Sequence, residues 1–216
     1  ALFGYGSEKK LLTMFSPTTR QTRRLVKPLV FMLSLIPFLI LIWRGFQDEL
    51  GANPVETLTH ETGQWGLYFL LITLAITPIK KLSGMLWLVG LRRMLGLFAF
   101  FYACLHLTVY TWLDQYFLWD AIIEDIFKRP YITLGFSAWL MLLPLALTSN
   151  RFSIRKLGTK WKKLHRLVYP ATLMVVFHFI WLVKADYAEP LLYLIILTLL
   201  LLARLPIMFR QKILQR

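Results

Sequence analysis

The sequence contains a single cysteine, Cys104, among 216 residues. One thiol excludes an intrachain disulfide, a zinc knuckle and the Cys-x-x-Cys-His segment that attaches a heme covalently. The chain also lacks a glycine-rich dinucleotide-binding segment and any soluble stretch long enough for a nicotinamide-binding domain. We therefore expect any cofactor to bind without a covalent bond, and we do not expect this chain to oxidise NADPH without a partner.

Acidic residues are scarce, since 11 Asp and Glu stand against 25 Lys and Arg, for a formal net charge of +14. Such an excess is typical of nucleic-acid-binding proteins, or of membrane proteins with basic cytoplasmic loops. Hydrophobic residue types make up 57% of the chain and fall in long runs, which nucleic-acid-binding proteins do not have. The composition therefore predicts a membrane protein and excludes a disordered chain.

Six apolar stretches are long enough to cross a bilayer, which takes about 20 helical residues. They are Pro28–Trp43, Gly63–Ile79, Met94–Leu113, Tyr131–Thr148, Leu167–Val183 and Pro190–Phe209. We predict an all-α integral membrane protein, with a six-transmembrane-helix bundle in residues 25–216 and a basic cytoplasmic arm in residues 1–24. The first stretch has no small-x-small cleavage site after it and is expected to remain as a helix.

Lysine and arginine are concentrated on one side of this predicted bundle. The amino-terminal arm, the second–third and fourth–fifth connections and the tail carry 21 of the 25 cations, whereas 10 of the 11 acids fall in the other three loops. Because positively charged loops resist translocation, both termini are predicted to be cytoplasmic. Contact with lipid head groups explains most of these cations without a specific ligand.

Two histidines interrupt the apolar spans, His106 in the third and His178 in the fifth. Ionisable side chains at lipid depth are costly and are functional candidates by default. Each lies 12 residues from the expected inner edge of its helix, which places both at a depth of about 18 Å, in the outer half of the membrane. Two neutral imidazoles at one level suit the axial positions of a heme iron; a proton relay and an ordinary interhelical hydrogen bond are the alternatives.

Small and aromatic residues accompany this pair. Gly96, Ala99 and Ala103 form a stripe before His106, which indicates either the close approach of a flat ring or tight helix packing. Aromatic residues flank both histidines and either form walls of a cofactor site or face lipid; they are Phe98, Phe100, Phe101, Tyr102, Tyr110, Phe177, Phe179 and Trp181. An iron with both axial positions filled is restricted to one-electron transfer.

The expected inner interface carries further polar candidates. His165 precedes the fifth span in a basic run and is interpreted either as a contact to a cofactor or quinone or as a residue that faces head groups. Arg92 and Arg93 begin the third span and either anchor its rim or hold a flavin phosphate, a heme propionate or a quinone oxygen. His60 is expected to be a capping or surface residue of the first outer loop.

These residues lie in segments that resemble the ferric reductase-like transmembrane family. The resemblance rests on segments in a fixed order: Gly51–Val55, Ile76–Pro78, Arg92–Leu97, Leu105–Thr108, Lys128–Gly135, Leu147–Ser149 and Leu157–Tyr169. It implies a multi-pass protein of the bacterial inner membrane that passes electrons from the quinone pool through heme b, with FMN as a further cofactor. It also implies a periplasmic molybdopterin-containing catalytic subunit that reduces methionine sulfoxide, so no catalytic residue is expected in this chain.

The resemblance further implies roles for individual residues. His106, His165 and His178 match the heme-associated histidines of the family, and Arg92 and Arg93 match its inner basic pair. The larger eukaryotic relatives carry two histidines on each ligand helix, and Arg93 stands where the fourth would be. Two other functions stay open: a stand-alone ferric or oxygen reductase, and a proton-coupled transporter whose histidines relay protons.

Overall fold

A computed structural model describes residues 22–183 and 186–204, and the regular structure of these residues is helical. The α-helices, in chain order, are α1 (Lys27–Phe46), α2 (Pro54–Ser83), α3 (Val89–Thr108), α4 (Trp119–Lys128), α5 (Pro130–Leu147), α6 (Arg151–Leu157), α7 (Thr159–Leu164), α8 (Val168–Leu182) and α9 (Ala188–Leu202). A 3₁₀ turn, Leu86–Leu88, leads into α3, and a π-helical segment, Val109–Asp114, extends it.

Among the described residues, five continuous helical stretches are long and apolar enough to cross a membrane, and α9 is a shorter apolar helix. The five are Arg24–Phe46, Pro54–Ser83, Leu86–Asp114, Pro130–Leu147 and Thr159–Leu182. Together with α9 they match the six predicted spans, which confirms the all-α membrane bundle. Residues 1–21 of the predicted arm and residues 205–209 of the predicted sixth span lie outside the described residues.

The outer surface of α1 is apolar, as a lipid-facing surface must be. Leu33, Leu39 and Trp43 are exposed along this helix, although each is a large hydrophobic side chain. In water a continuous surface of this kind would need a covering partner, whereas in a bilayer the acyl chains cover it. The exposed apolar residues therefore agree with the hydropathy of the sequence.

Helix α2 is longer than the predicted second span, because the polar segment before that span is also helical. Asn53 caps it by accepting the Glu56 backbone N–H at 3.3 Å, and Pro54 occupies the first turn, where no backbone donor is needed. His60 therefore lies on α2, with an exposed side chain, and its predicted position in a loop is wrong. Gly84, with a φ of +71°, ends α2 in the left-handed region that glycine favours.

The spanning helices associate mainly as two antiparallel pairs. Helix α2 packs along α3, and α5 packs along α8. The two short helices α6 and α7, which carry many of the lysines and arginines, connect α5 to α8. Much of the buried core lies between α2 and α3, around Leu70, Leu74, Leu95 and Phe98. The fold is therefore two helix pairs, with α1 and α9 packed against them.

The hydroxyl of Tyr102 ties α1 to α3. This fully buried side chain donates to the Ser34 carbonyl at 2.9 Å and accepts the Phe38 backbone N–H at 3.2 Å. In an uninterrupted α-helix those two backbone groups would bond to each other. The hydroxyl is therefore inserted into the hydrogen-bond ladder of α1, beside Pro37, at a point where helices commonly bend.

The two ends of the bundle differ in charge. We call one the acidic end: it comprises the end of α1, the starts of α2, α5 and α9, the π-helical segment after α3, and α4. It carries the acidic residues that the structure describes. We call the other the basic end: it comprises the end of α2, the start of α3, and the segment from α6 to the start of α8. The described acids are Asp48, Glu49, Glu56, Glu61, Asp114, Asp120, Glu124, Asp125, Asp186 and Glu189.

Candidate functional site

The two histidines of the apolar spans face each other across the bundle. His106 lies near the end of α3, and His178 lies near the end of α8. Their ring centroids are 6.1 Å apart, and the ring planes are inclined by 82°. Since α3 packs mainly against α2, and α8 mainly against α5, the two rings meet between the two helix pairs.

Each ring is held in the same way by a backbone carbonyl of the neighbouring helix. His106 Nδ1 lies 2.8 Å from the Thr59 oxygen, and His178 Nδ1 lies 2.6 Å from the Tyr131 oxygen. A carbonyl oxygen can only accept, so Nδ1 carries the proton and Nε2 keeps its lone pair. In the described part of the chain neither Nε2 has a hydrogen-bond partner. Imidazoles fixed in this way are typical metal ligands.

A glycine makes room for each ring. Gly63 and Gly135 each lie one helical turn after the carbonyl that contacts the histidine. A Cβ on Gly63 would be 3.0 Å from His106 Nδ1, and a Cβ on Gly135 would be 2.9 Å from His178 Nδ1. An alanine at either position would therefore push the imidazole away from its carbonyl.

The pair fits an iron held in a flat macrocycle. Within residues 22–183 and 186–204 no group of three or more His, Cys, Asp or Glu could hold a metal ion, so the protein supplies two donors here. An imidazole nitrogen lies about 2.0–2.1 Å from a bound metal, and two rings on opposite sides of one metal therefore have centroids roughly 6 Å apart. The observed 6.1 Å agrees with that separation. A porphyrin would supply the in-plane donors.

The surroundings of the two histidines recur at a constant interval along the chain. Three residues of the α2–α3 pair have counterparts 72 positions later in the α5–α8 pair: Thr59, Gly63 and His106 correspond to Tyr131, Gly135 and His178. The fully buried Ala99 and Ala171 follow the same interval. Each histidine is also 47 residues from its carbonyl. The site therefore lies between two equivalent helix pairs.

The two glycines are site residues that were not predicted. Their sequence signal is the equal separation of each glycine from its histidine in the two halves. A glycine near an aromatic ring has many other meanings, so this spacing becomes informative only when the pairing of the helices is known.

The stripe of small residues before His106 belongs to helix packing. A Cβ on Gly66 of α2 would lie 3.6 Å from the Ala103 nitrogen and 3.8 Å from the Ala99 oxygen, and a Cβ on Gly96 would lie 3.7 Å from Thr73. These small residues allow α2 and α3 to approach closely. Of the two predicted interpretations, tight helix packing is the one observed.

The predicted aromatic wall is largely elsewhere. Phe98 and Tyr102 stack on Phe69 in the α2–α3 core. Phe177 and Trp181 are exposed. Phe179 lies against α2 and α9, with its ring centroid 6.0 Å from those of both His60 and Tyr193. Periodicity alone could not separate these roles, because aromatic residues serve the core, the lipid surface and a cofactor site alike.

A hydrogen-bonded network joins α2 to α9 at the acidic end. The Tyr193 hydroxyl donates to Glu189 Oε1 at 2.8 Å and lies 2.9 Å from the Tyr68 hydroxyl. The Gln64 amide donates to the same carboxylate. Every member is partly or fully buried, so the network fixes the position of α9 against α2. The sequence analysis counts Glu189 only among the acids of the outer loops, so this network was not predicted.

The structure does not bring His165 to the other two histidines. Its Nδ1 lies 3.1 Å from the Trp161 carbonyl, its Nε2 lies 3.4 Å from Ser149 Oγ, and the Trp161 ring stacks on it at a centroid distance of 3.8 Å. His165 begins the 3₁₀ turn that precedes α8, at the basic end. At the same end Arg92 is half-buried and Arg93 is exposed, so the two predicted arginines lie in different surroundings.

Known proteins resemble this chain over most of its length. Residues 62–176 match the family model described as ferric reductase like transmembrane component. The protein-methionine-sulfoxide reductase heme-binding subunit MsrQ of Xanthomonas euvesicatoria pv. vesicatoria (strain 85-10) is 51% identical over 181 residues, which is 81% of this chain and 83% of that protein. The protein of the same name in Herminiimonas arsenicoxydans is 47% identical over 193 residues, which is 88% of each chain. The one in Azospira oryzae (strain ATCC BAA-33 / DSM 13638 / PS) is 50% identical over 189 residues, which is 87% of this chain and 81% of that protein. No solved structure matches this chain.

Proposed function

Because this chain belongs to the ferric reductase-like transmembrane family, we propose that it is the heme-binding, electron-carrying subunit of a methionine sulfoxide reductase system. The relatives at about half identity are named for that subunit and that system. The observation that carries the proposal is the facing pair His106 and His178, with centroids 6.1 Å apart and both Nδ1 atoms bonded to backbone carbonyls.

In this proposal the imidazoles of His106 and His178 would hold a heme b. When bound, such a heme would supply one-electron transfer. The residues of the chain orient both imidazoles: the Thr59 and Tyr131 carbonyls fix the tautomers, and Gly63 and Gly135 provide the space. No residue of this chain acts on methionine sulfoxide.

The charge difference between the ends supports an orientation for electron flow. We place the basic end in the cytoplasm and the acidic end outside a bacterial inner membrane. The histidine pair is nearer the acidic end, because its carbonyl partners lie in the second turn of α2 and the first turn of α5. Electrons would then leave toward a periplasmic partner, which we propose is a molybdopterin-containing catalytic subunit.

The donor side of the proposal is the basic end. We propose that the quinone pool supplies the electrons, with FMN as an additional cofactor, and that Arg92 and His165 lie at this donor region. Arg92 is half-buried and His165 partly exposed, as residues that contact a membrane-soluble donor would be. The exposed Arg93 fits the alternative prediction, a rim anchor that contacts lipid head groups.

Electron delivery from a quinol tests the function as a whole. The purified protein, a reduced quinone and the catalytic subunit would be combined with a methionine sulfoxide substrate, and a ferric chelate would be offered in a parallel assay. We expect sulfoxide reduction that depends on His106 and His178. Electron delivery to the ferric chelate alone would overturn the proposal in favour of a stand-alone ferric reductase, and proton flux without heme would favour a transporter.

A further inference from the structure

The two helix pairs meet on two sides of the facing histidines. Helix α2 of one pair contacts α8 of the other, and α3 of the first pair contacts α5 of the second. We call these the α2–α8 side and the α3–α5 side. A flat macrocycle between His106 and His178 would have one edge toward each side, so the residues of the two sides determine which edge each side can accept.

The α3–α5 side is aromatic and apolar. Phe100 of α3 stacks on Trp139 of α5 with ring centroids 6.1 Å apart, and Phe136 stacks on Trp139 at 6.2 Å. The indole Nε1 of Trp139 already donates to Cys104 Sγ at 3.4 Å. A cluster of this kind suits the vinyl- and methyl-bearing edges of a heme, whereas an ionised carboxylate placed there would lose its hydration.

The α2–α8 side carries polar residues. His60, Gln64 and Tyr68 follow one another at intervals of four residues along α2, so they lie on one face of that helix. This face is directed at α8 and α9. In the same order its contacts are Phe179 at a centroid distance of 6.0 Å, the Glu189 carboxylate, and the Tyr193 hydroxyl at 2.9 Å.

The equivalent face of α5 is apolar. The positions 72 residues after the three polar ones hold Ile132, Phe136 and Leu140. The carbonyl and the glycine that support each histidine are equivalent in the two halves, so the equivalence is kept at the histidines and lost on these two faces. Such a difference indicates a ligand with one charged and one apolar edge. A heme has this property, because both of its propionates extend from the same edge.

His60 is the member of the polar face that has hydrogen-bonding capacity left. Gln64 and Tyr68 are engaged with α9, and the Glu189 carboxylate has donors of its own in Gln64 and Tyr193. His60 is exposed and makes no hydrogen bond within the described part of the chain. It follows Thr59, whose carbonyl lies 2.8 Å from His106 Nδ1, and its ring lies within electrostatic range of His106.

The lysines and arginines described at the acidic end already have carboxylate partners. The ion pairs are Arg44–Glu61, Lys128–Glu124 and Arg129–Asp125. Apart from the two facing histidines, His60 is the remaining basic side chain that the structure describes at this end. A carboxylate brought to the site from outside the chain would therefore find its donor at His60.

We propose that His60 binds a propionate of the heme and thereby holds the propionate edge on the α2–α8 side, with the opposite, apolar edge on the α3–α5 side. The inference rests on the proposed function, because it concerns the group that His106 and His178 would hold. An imidazole N–H donates well to a carboxylate oxygen. His60 is thus a positioning residue and not an iron ligand.

Hemin and hemin dimethyl ester form a matched pair of probes, because the ester lacks only the two acid groups. The full-length protein would be produced under heme limitation, purified in detergent and titrated with each probe. Growth of the low-spin Soret band reports binding. We expect the wild-type protein to bind hemin at least about tenfold more tightly than the ester, since hydrogen bonds to a charged group are strong.

Three variants assign this preference to His60. His60→Leu removes both ring nitrogens and keeps an apolar contact for Phe179; it should lose most of the preference by binding hemin more weakly, with unchanged binding of the ester. The low-spin spectrum should persist, because both iron ligands remain. His60→Gln keeps a donor and should recover part of the preference. Ile132→Val, at the equivalent position of α5, is the matched control and should keep the wild-type preference.

The outcomes separate this inference from the proposed function. It is overturned if the wild type binds both probes equally, if His60→Leu keeps the wild-type preference, or if both His60 variants weaken the two probes to the same extent, as a purely structural role would. A low-spin spectrum together with any of these results leaves the heme-binding function in place. A wild-type protein that binds neither probe would instead overturn both proposals.

Discussion

Gly135 lies against the ring of His178 so closely that a Cβ at that position would be 2.9 Å from Nδ1. The same relationship holds between Gly63 and His106 at 3.0 Å. The two helix pairs thus place their histidines in one space through the same arrangement, in which a carbonyl accepts from Nδ1 and a glycine leaves room for the ring. This shared arrangement is the strongest structural argument that both histidines bind one group.

This geometry predicts that Gly63→Ala and Gly135→Ala weaken heme binding. Each alanine displaces the imidazole from its carbonyl, and loss of such a supporting contact typically lowers metal-site affinity by about 10–100-fold. The measurement is heme content and the low-spin absorption spectrum of the purified variant.

Gly66→Ala is the matched control for the glycine variants, because it lies on α2 three residues after Gly63. A Cβ there would meet its nearest atom at 3.6 Å, which is an ordinary contact. We expect Gly66→Ala to bind heme as the wild type does. Equal heme content in the Gly63→Ala, Gly135→Ala and Gly66→Ala variants would show that the glycines do not position the ligands.

Tyr102→Phe is expected to destabilise the bundle without altering the heme spectrum. The change removes the hydroxyl that satisfies both Ser34 and Phe38 in α1, and loss of such a buried partner costs about 1–3 kcal/mol. Denaturant unfolding in detergent measures the difference. Tyr116→Phe, at an exposed tyrosine, is the control. A Tyr102→Phe variant as stable as this control would contradict the role assigned to the hydroxyl.

The phenol pair Tyr68 and Tyr193 should be energetically coupled. Their hydroxyls are 2.9 Å apart, and Tyr193 also donates to Glu189, so each single change to Phe disturbs the same network. A double-mutant cycle of the two Phe variants is expected to give a coupling energy of about 0.5–1.5 kcal/mol. Strict additivity of the two changes would instead indicate that the network does not fix α9 against α2.

Hydropathy predicted the fold well, because the cost of burying polar backbone and side chains in lipid leaves few alternatives to long apolar helices. All six predicted spans correspond to helices in the part of the chain that the structure describes. The beginning of α2 was missed because the polar residues Glu56, His60 and Glu61 lower its hydropathy. The Asn53 cap favours a helix start there, and the Arg44–Glu61 ion pair at 2.5 Å joins this part of α2 to α1.

The candidate site was predictable in part. His106 and His178 stand out because ionisable residues are rare at lipid depth, and the structure brings these two together. The carbonyls that support them are invisible in the sequence, since a backbone carbonyl has no residue signature. The two glycines have only their equal spacing from each histidine as a signal, and that spacing becomes informative once the pairing of the helices is known.

The central claim is that His106 and His178 together hold one heme iron, and a reduced-minus-oxidised absorption spectrum tests it most directly. The purified wild-type protein would be compared with His106→Ala, His178→Ala and His165→Ala. We predict a low-spin b-type signal in the wild type, loss of most of it in either of the first two variants, and a smaller loss in His165→Ala. A wild-type protein that stays colourless after addition of hemin, or an unchanged signal in both His106→Ala and His178→Ala, would contradict the claim.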